Sequence, residues 1–301
     1  MMNYDVIVIG GGAAGLQATL TLARSRQEVA LFDNETNRNR VTEESHNFIT
    51  RDGTSPSEFR AIANEDLSRY PNVTKKAETI ATIEETGESF TVTTESGSKY
   101  TSRRILLATG IQERFSYEPI RNYYGKSVFH CPFCDGYELR DEALAIFASD
   151  EQAILHVTKL LYNWSTNLAI FTNGVTLNQE LLQPILDKKI PIYNDAIKNL
   201  HGDSGQLSAV ELINGSYVSR NGGFVVPDYI RDNTFIDQLH LEVDEQNGIT
   251  TDGFGRTSHP RVYVAGEMVK NASSSLLVAS TEGTMTASMI VFDRANEQFH
   301  S

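Results

Sequence analysis

Short apolar runs alternate with amphipathic stretches along most of the chain. Residues 4–9 read YDVIVI, the unbroken apolar pattern of a strand buried on both faces of a parallel sheet. Helical spacing follows, with Leu16, Leu20, Leu22 and Ala23 on apolar positions. A second strand is expected over residues 28–32, ending at Asp33. Further apolar runs at 143–148, 168–172 and 224–226, a helix-like stretch at 151–163, and polar, glycine-bearing turns at 201–205 and 221–223 continue the alternation. Strands separated by helices predict an α/β fold.

The first strand runs into Gly10, Gly11, Gly12, Ala13, Ala14 and Gly15, which is G-x-G-x-x-G between a strand and a helix. Gly10 suits the tight turn, Gly12 the approach of a pyrophosphate to the backbone, and Gly15 close helix–strand packing. The pyrophosphate would sit on the positive end of the helix. Asp33 follows at the distance expected of an acid that binds a ribose. Residues 103–110 read RRILLATG, ending in Ala108, Thr109 and Gly110, and residues 261–267 read RVYVAGE, ending in Gly266 and Glu267. These strand ends resemble the two that frame FAD in flavoproteins built from two dinucleotide-binding domains, except that Glu267 stands where Asp is usual. The resemblance implies two Rossmann-like three-layer domains. The FAD domain would be discontinuous, residues 1–113 and 248–301, with a smaller nucleotide-domain-like module, 114–247, inserted in it.

Net charge is −13 and the pI is near 5.0. Such an acidic surface argues against nucleic acid and against anionic membranes as partners. No apolar run is long enough to span a bilayer, and the N-terminus has no signal-peptide pattern, so a cytoplasmic location is the expectation. The chain has only two cysteines, Cys131 and Cys134. That is too few for a secreted disulfide framework, and the histidines are scattered, so no metal site is expected.

The segment His130-Cys131-Pro132-Phe133-Cys134-Asp135-Gly136 leaves three readings: a redox dithiol, half of a zinc site, or a chance pair. A Cys-x-x-Cys opening a helix favours the redox use, because the helix terminus stabilises a thiolate. Asp135 is either an acid/base or a turn residue. With the glycine turn, the ATG strand end, Cys-x-x-Cys-Asp-Gly in the inserted module and the late Gly-acid end, nearly the whole chain resembles the low-molecular-weight thioredoxin reductases. The resemblance implies an FAD enzyme and a homodimer. It implies Cys134 as the sulfur beside the flavin, Cys131 as the exchanging sulfur, and Asp135 as the group that manages the thiol proton.

Three features depart from that family. Where a second glycine turn should receive NADPH, the chain reads Phe147-Ala148-Ser149-Asp150-Glu151-Gln152, with no glycine and two acids. The next strand ends in Thr172-Asn173-Gly174, without the basic residues that hold a 2′-phosphate. Ser274 and Ser275 occupy the place of the family's Arg-Gln pair. Residues 37–53, NRNRVTEESHNFITRDG, resemble a branch that includes FAD-dependent dithiol oxidases. That likeness implies Asn39, Arg40 and His46 near the flavin; the other reading is a solvated polar loop. A His can accept a thiol proton at neutral pH. The expected function is therefore a dithiol oxidase acting on a small dithiol, with oxygen as acceptor. The alternatives are a reductase of a small disulfide or a thioredoxin-like protein with a donor such as ferredoxin, an NADPH-dependent thioredoxin reductase, and a non-catalytic redox sensor.

Overall fold

The computed structural model describes residues 3–178, 180–245, 247–270 and 272–300. From the N-terminus the chain forms β1 (Asn3–Ile9), α1 (Ala13–Arg24), β2 (Val29–Phe32), α2 (Pro56–Ser68), β3 (Val73–Lys76), β4 (Ile80–Thr86), β5 (Ser89–Thr94), β6 (Lys99–Leu107) and β7 (Gln112–Arg114). The middle of the chain adds β8 (Val128–Phe129), α3 (Pro132–Asp135), β9 (Leu144–Phe147), α4 (Glu151–Leu161), β10 (Leu168–Phe171), α5 (Gln183–Asp187) and β11 (Ile192–Tyr193). Then come β12 (Ile197–Asp203), β13 (Gln206–Leu212), β14 (Tyr217–Ser219), β15 (Gly222–Val225), β16 (Asp228–Ile230), α6 (Thr234–Gln238), β17 (Val262–Val264) and the long α7 (Leu276–His300).

These elements make two compact units: Met1–Arg40 with Ser57–Gln112 and Tyr229–Ser301, and Val41–Pro56 with Glu113–Asp228. The first unit holds a seven-stranded sheet in the order β3-β2-β1-β6-β5-β4, with β17 paired to β6. β1, β2, β3, β6 and β17 are mutually parallel, while β4 and β5 form an antiparallel extension. Alternate side chains feed two cores. Ile7, Ile9, Ile105, Leu107, Val262 and Val264 face one side. Val6, Val8, Leu106 and Tyr263 face the other, under α1 and α7. Burial on both faces is the physical reason β1 reads as an unbroken apolar run.

The second unit repeats the plan with a parallel five-stranded sheet, β11-β10-β9-β15-β8. Ala145, Phe147, Ala169 and Phe171 face one core, and Leu144, Ile146, Leu168 and Ile170 the other. An antiparallel sheet, β12-β13-β14, contributes Leu200, Leu207, Val210 and Leu212 to the first of these cores. Each unit is thus a sheet with packing on both faces, the Rossmann-like α/β arrangement.

Two boundaries differ from the sequence expectation. The chain returns to the first unit at Tyr229, not near residue 248, because Phe235, Ile236, Leu239, Leu241 and Ile249 fill the core of the β1 sheet. The segment Val41–Pro56 belongs to the second unit, although it lies between β2 and α2 in sequence. Among the described residues, no helix is long and apolar enough to cross a membrane.

Candidate active site

The turn between β1 and α1 is shaped by backbone constraints. Gly10 has φ +107°, in the region that favours glycine, and a Cβ there would overlap the Ala108 carbonyl oxygen. A Cβ on Gly15 would overlap the Gly10 oxygen, so helix and turn approach to backbone contact. Gly12, the N-cap of α1, is different: nothing lies within 4 Å of a Cβ built there. It provides no side-chain cap, and the first turn, starting at Ala13 and Ala14, contains no acid. The start of α1 therefore carries no side-chain cap and no acid, and the positive end of the helix favours an anion.

Two other strand ends meet this turn. Ala108 N donates to Ile9 O at 2.8 Å, and Ala265 N to Leu107 O at 3.0 Å, aligning the ends of β1, β6 and β17. Thr109 Oγ1 lies 2.9 Å from Met268 Sδ. Gly110 faces Glu267, whose Oε2 is 3.8 Å from a Cβ built on Gly110. Gly266 approaches Ala14, at 3.0 Å by the same measure. Sequence reasoning missed the cation that organises this corner. Arg38, not Arg40, grips Glu267 with both nitrogens: Nε to Oε2 at 3.1 Å and Nη2 to Oε1 at 2.6 Å. Ser274 N also donates to Glu267 Oε1, at 2.8 Å. Arg40 donates instead to the carbonyls of Thr36 and Asn37, and Asn39 Oδ1 accepts from Asn37, so both brace their own turn. Arg38 and Arg40 read alike in sequence; only the 3-10 turn over Arg38–Val41 separates their directions.

Asp33, at the end of β2, accepts from Arg60 Nη2 at 2.7 Å and from Glu35 N at 3.0 Å. Arg60 also donates to Gly11 O at 2.8 Å. A carboxylate offers about four acceptor directions, so two are left for ribose hydroxyls. Arg60 sits on the polar helix α2, where no sequence signal singled it out. The buried Ser274 Oγ has no hydrogen-bond partner among the described residues. An open helix terminus, room above Gly12 and an orphaned hydroxyl beside Glu267 together fit a dinucleotide laid across the three strand ends. The residues that would hold FAD are Gly12, Ala13 and Ala14 at the pyrophosphate, Asp33 at the adenosine ribose, and Gly266 and Glu267 at the ribityl chain.

The corresponding turn in the second unit is built the opposite way. Asp150 caps α4, its Oδ1 accepting from Ala153 N at 2.8 Å. Glu151 follows in the first turn, and its Oε1 accepts from Asn178 N at 2.8 Å. Past β10, Thr172 Oγ1 donates to Val175 O and Asn173 Oδ1 accepts from Ile197 N. A carboxylate already occupies the terminus where a pyrophosphate would need free amides.

The dithiol lies in the second unit. Cys131 and Cys134 are joined as a disulfide, with Cα atoms 5.3 Å apart. Pairing of β8 with β15 places the segment, Cys131 is the N-cap of α3, and Pro132 starts the helix. A Cβ on Gly136 would crowd the Trp164 ring, so the turn is held tightly against it. Asp135 is buried, at 9% exposure. Burial first, and the Glu138 charge second, push its carboxyl up to about 7. His46 is brought to the same unit by its hairpin-like loop, closed by the Ser45–Thr54 bridge. Its Nε2 lies 3.5 Å from Glu44 Oε2 and 3.7 Å from Glu138 Oε1, and its Nδ1 3.6 Å from Asp52 Oδ1. Glu138 is therefore a shared neighbour of Asp135 and His46, and sequence reasoning did not find it.

A glycine turn at an open helix start and a cysteine pair bonded as a disulfide, carried on two Rossmann-like units, fit one class: a flavin-dependent disulfide oxidoreductase. The family model described as pyridine nucleotide-disulphide oxidoreductase matches residues 4–148 and 176–283. The chain belongs to this family, among its thioredoxin reductase-like members, and is an FAD-binding enzyme. A Bacillus anthracis structure bearing the name thioredoxin reductase TrxB is similar at 45% identity and a TM-score of 0.96, covering 98% of this chain and 99% of that one. Thioredoxin reductase aclD of Aspergillus oryzae is 30% identical, covering 96% of this chain and 97% of its own. Thioredoxin reductase tcpT of Claviceps purpurea is 27% identical, covering 96% and 95%.

Proposed function

We propose that the protein is a dithiol oxidase, in which a small substrate dithiol reduces the Cys131–Cys134 disulfide and the electron pair passes on to dioxygen. The observation that carries this reading is the contrast between the two helix termini. The α1 terminus is open above Gly12, whereas the α4 terminus is closed by Asp150 and followed by Glu151. The contrast supports a retained FAD site beside a degenerate NADPH site. Bound FAD supplies the two-electron chemistry that connects a dithiol with oxygen.

The chain's own residues account for the thiol steps. Cys131 receives the attack of a substrate sulfur, and Cys134 leaves as a thiolate, stabilised at a helix start. Asp135, with a pKa of about 7, can take or give a proton near neutral pH. Glu138 and His46 extend from it as a path of proton-bearing groups. The test is oxygen uptake when the purified protein is mixed with dithiols in air. Sustained uptake supports the reading, and a flavin that stays reduced in air sinks it.

A second reading is favoured by the relatives that carry the thioredoxin reductase name. In it the same dithiol reduces a thioredoxin-like protein, and electrons arrive from a donor other than NADPH, such as ferredoxin. Reduction of a thioredoxin by the ferredoxin-supplied protein under argon, without oxygen uptake on dithiols, would select it. We further propose a homodimer, which the molecular mass in solution tests.

A further inference from the structure

One long face of α7 is left uncovered by the rest of the chain. The inner side of the helix is spent on its own unit: Ser280, Gly283, Thr286, Ala287 and Ile290 are buried, and a Cβ on Gly283 would overlap the Ala14 carbonyl oxygen. The outer side carries a second stripe. Val278, Met285, Phe292 and Phe299 follow one another at seven-residue intervals and are 42%, 36%, 55% and 87% exposed. Between them, the exposed positions Thr281, Ser288 and Ala295 are small. Seven residues are nearly two helical turns, so the stripe keeps to one face for roughly 32 Å.

This stripe bears no charge. Glu282, Asp293, Arg294 and Glu297 turn instead to their own chain, pairing with Lys270, Arg256, Asp5 and Arg104 in that order. The chain as a whole carries a net charge of −13. A long apolar strip on so acidic a surface marks a binding face.

The spacing limits the occupant. Large apolar residues every seven positions, each followed three residues on by a small one, form the pattern by which two helices interdigitate. Another copy of this chain supplies a helix with that same pattern. Area points the same way. A whole aromatic side chain presents roughly 200 Å², so the four large residues and the exposed Leu277 leave on the order of 500 Å² of apolar surface per copy. Two copies joined there, with the polar positions beside the stripe, exceed the roughly 1,000 Å² that a specific interface needs. An uncharged face is also where two acidic chains meet with the least repulsion.

We propose that the outer face of α7 is the surface through which this protein pairs with a second copy of itself, with Met285, Ser288 and Phe292 at its centre. The proposal rests on the homodimer reading above and assigns its interface. In a two-fold arrangement each α7 is both ligand and receptor, so one substitution is felt twice.

Sedimentation of the FAD-loaded protein over a dilution series gives the mass and the dissociation constant of the dimer. Wild type is compared with Met285→Glu, Phe292→Glu and a control, Ile213→Glu, on an exposed residue of the second unit just after β13. All three side chains are solvent-exposed in the single chain, so circular dichroism should be unchanged. Wild type should show twice the 33.5 kDa of one chain. Each α7 variant sets two like charges in the apolar seam and should raise the dissociation constant by about 100-fold or more, while Ile213→Glu should leave it unchanged. Added salt should tighten the wild-type dimer, since it screens the repulsion of two acidic chains and the seam has no ion pairs to weaken. A dimer that persists at wild-type strength in both α7 variants would overturn this interface and leave the homodimer reading intact. An equal loss in Ile213→Glu, or a wild-type dimer that salt loosens, would do the same. A wild-type protein of single-chain mass at every concentration would sink both.

Discussion

Replacing Asp135 by Asn removes a carboxyl that burial, and then the Glu138 charge, hold at a pKa of about 7. An exposed aspartate titrates near 3.9, so the folded protein opposes ionisation of this group by about three pKa units, or roughly 4 kcal/mol. The sign follows from proton counts. Between the two values the unfolded chain has released the proton while the native protein retains it, so stability falls as pH rises. The cost is absent well below pH 4 and complete above pH 7. Asn has the same shape without the titration. The stability of Asp135→Asn relative to wild type should therefore increase by about 2.5 kcal/mol between pH 5 and pH 8, with most of the gain reached by pH 7. Urea unfolding of both oxidised proteins at several pH values measures this gap, and other titrating groups cancel in the difference. With a slope of about 3 kcal/mol per molar urea, the midpoint separation should widen by nearly 1 M. A gap independent of pH would refute the argument. The same variant should lose about 100-fold or more in dithiol exchange near neutral pH. A more stable and less active protein is the combination expected when a buried group serves chemistry instead of the fold.

Other perturbations give distinct outcomes. Gly12→Val places a branched side chain in open space, so folding by circular dichroism should be unchanged while flavin absorbance after purification is lost; wild-type flavin content would contradict the assignment. Glu267→Ala removes the carboxylate to which Arg38 and the Ser274 amide donate, and should cost about 1–3 kcal/mol in urea unfolding as well as weaken retention of FAD. Asp150→Ala removes only a helix cap, and should lower stability by about 1 kcal/mol without making the flavin respond to NADPH. Arg104 is 2% exposed and pairs with Glu297 on α7, so Glu297→Ala should destabilise the protein by about 1–3 kcal/mol, whereas Arg104→Met, which removes the buried charge as well, should cost less.

The parts legible in sequence are those whose cause is local. The run of β1, the glycines of the following turn and the helix spacing of α1 each follow from short-range sterics and burial. Cys131 and Cys134 were legible because their spacing alone permits the disulfide. The lack of glycine in the Phe147–Gln152 segment was legible for the same reason, and so was Asp150, because the acid that caps α4 lies in the turn itself.

What stayed hidden depends on residues far apart in sequence. Arg38 meets Glu267 across 229 positions, and Arg60 meets Asp33 across 27. The choice between Arg38 and Arg40 is made by a 3-10 turn that no periodicity announces. His46 belongs with the second unit because its loop packs there, placing it by Glu138, a neighbour that no motif in the 37–53 segment announces. The return of the chain at Tyr229 was obscured because α6 is only five residues long, too short for a helical pattern to stand out.

The central claim is that electrons enter through the dithiol and not through a nucleotide. Anaerobic titration of the holoprotein, followed by the flavin absorption band, tests it most directly. NADPH and NADH at several equivalents should leave the band unchanged; a dithiol added next should bleach it, and air should restore it with consumption of oxygen. Prompt bleaching by a single equivalent of NADPH would contradict the account.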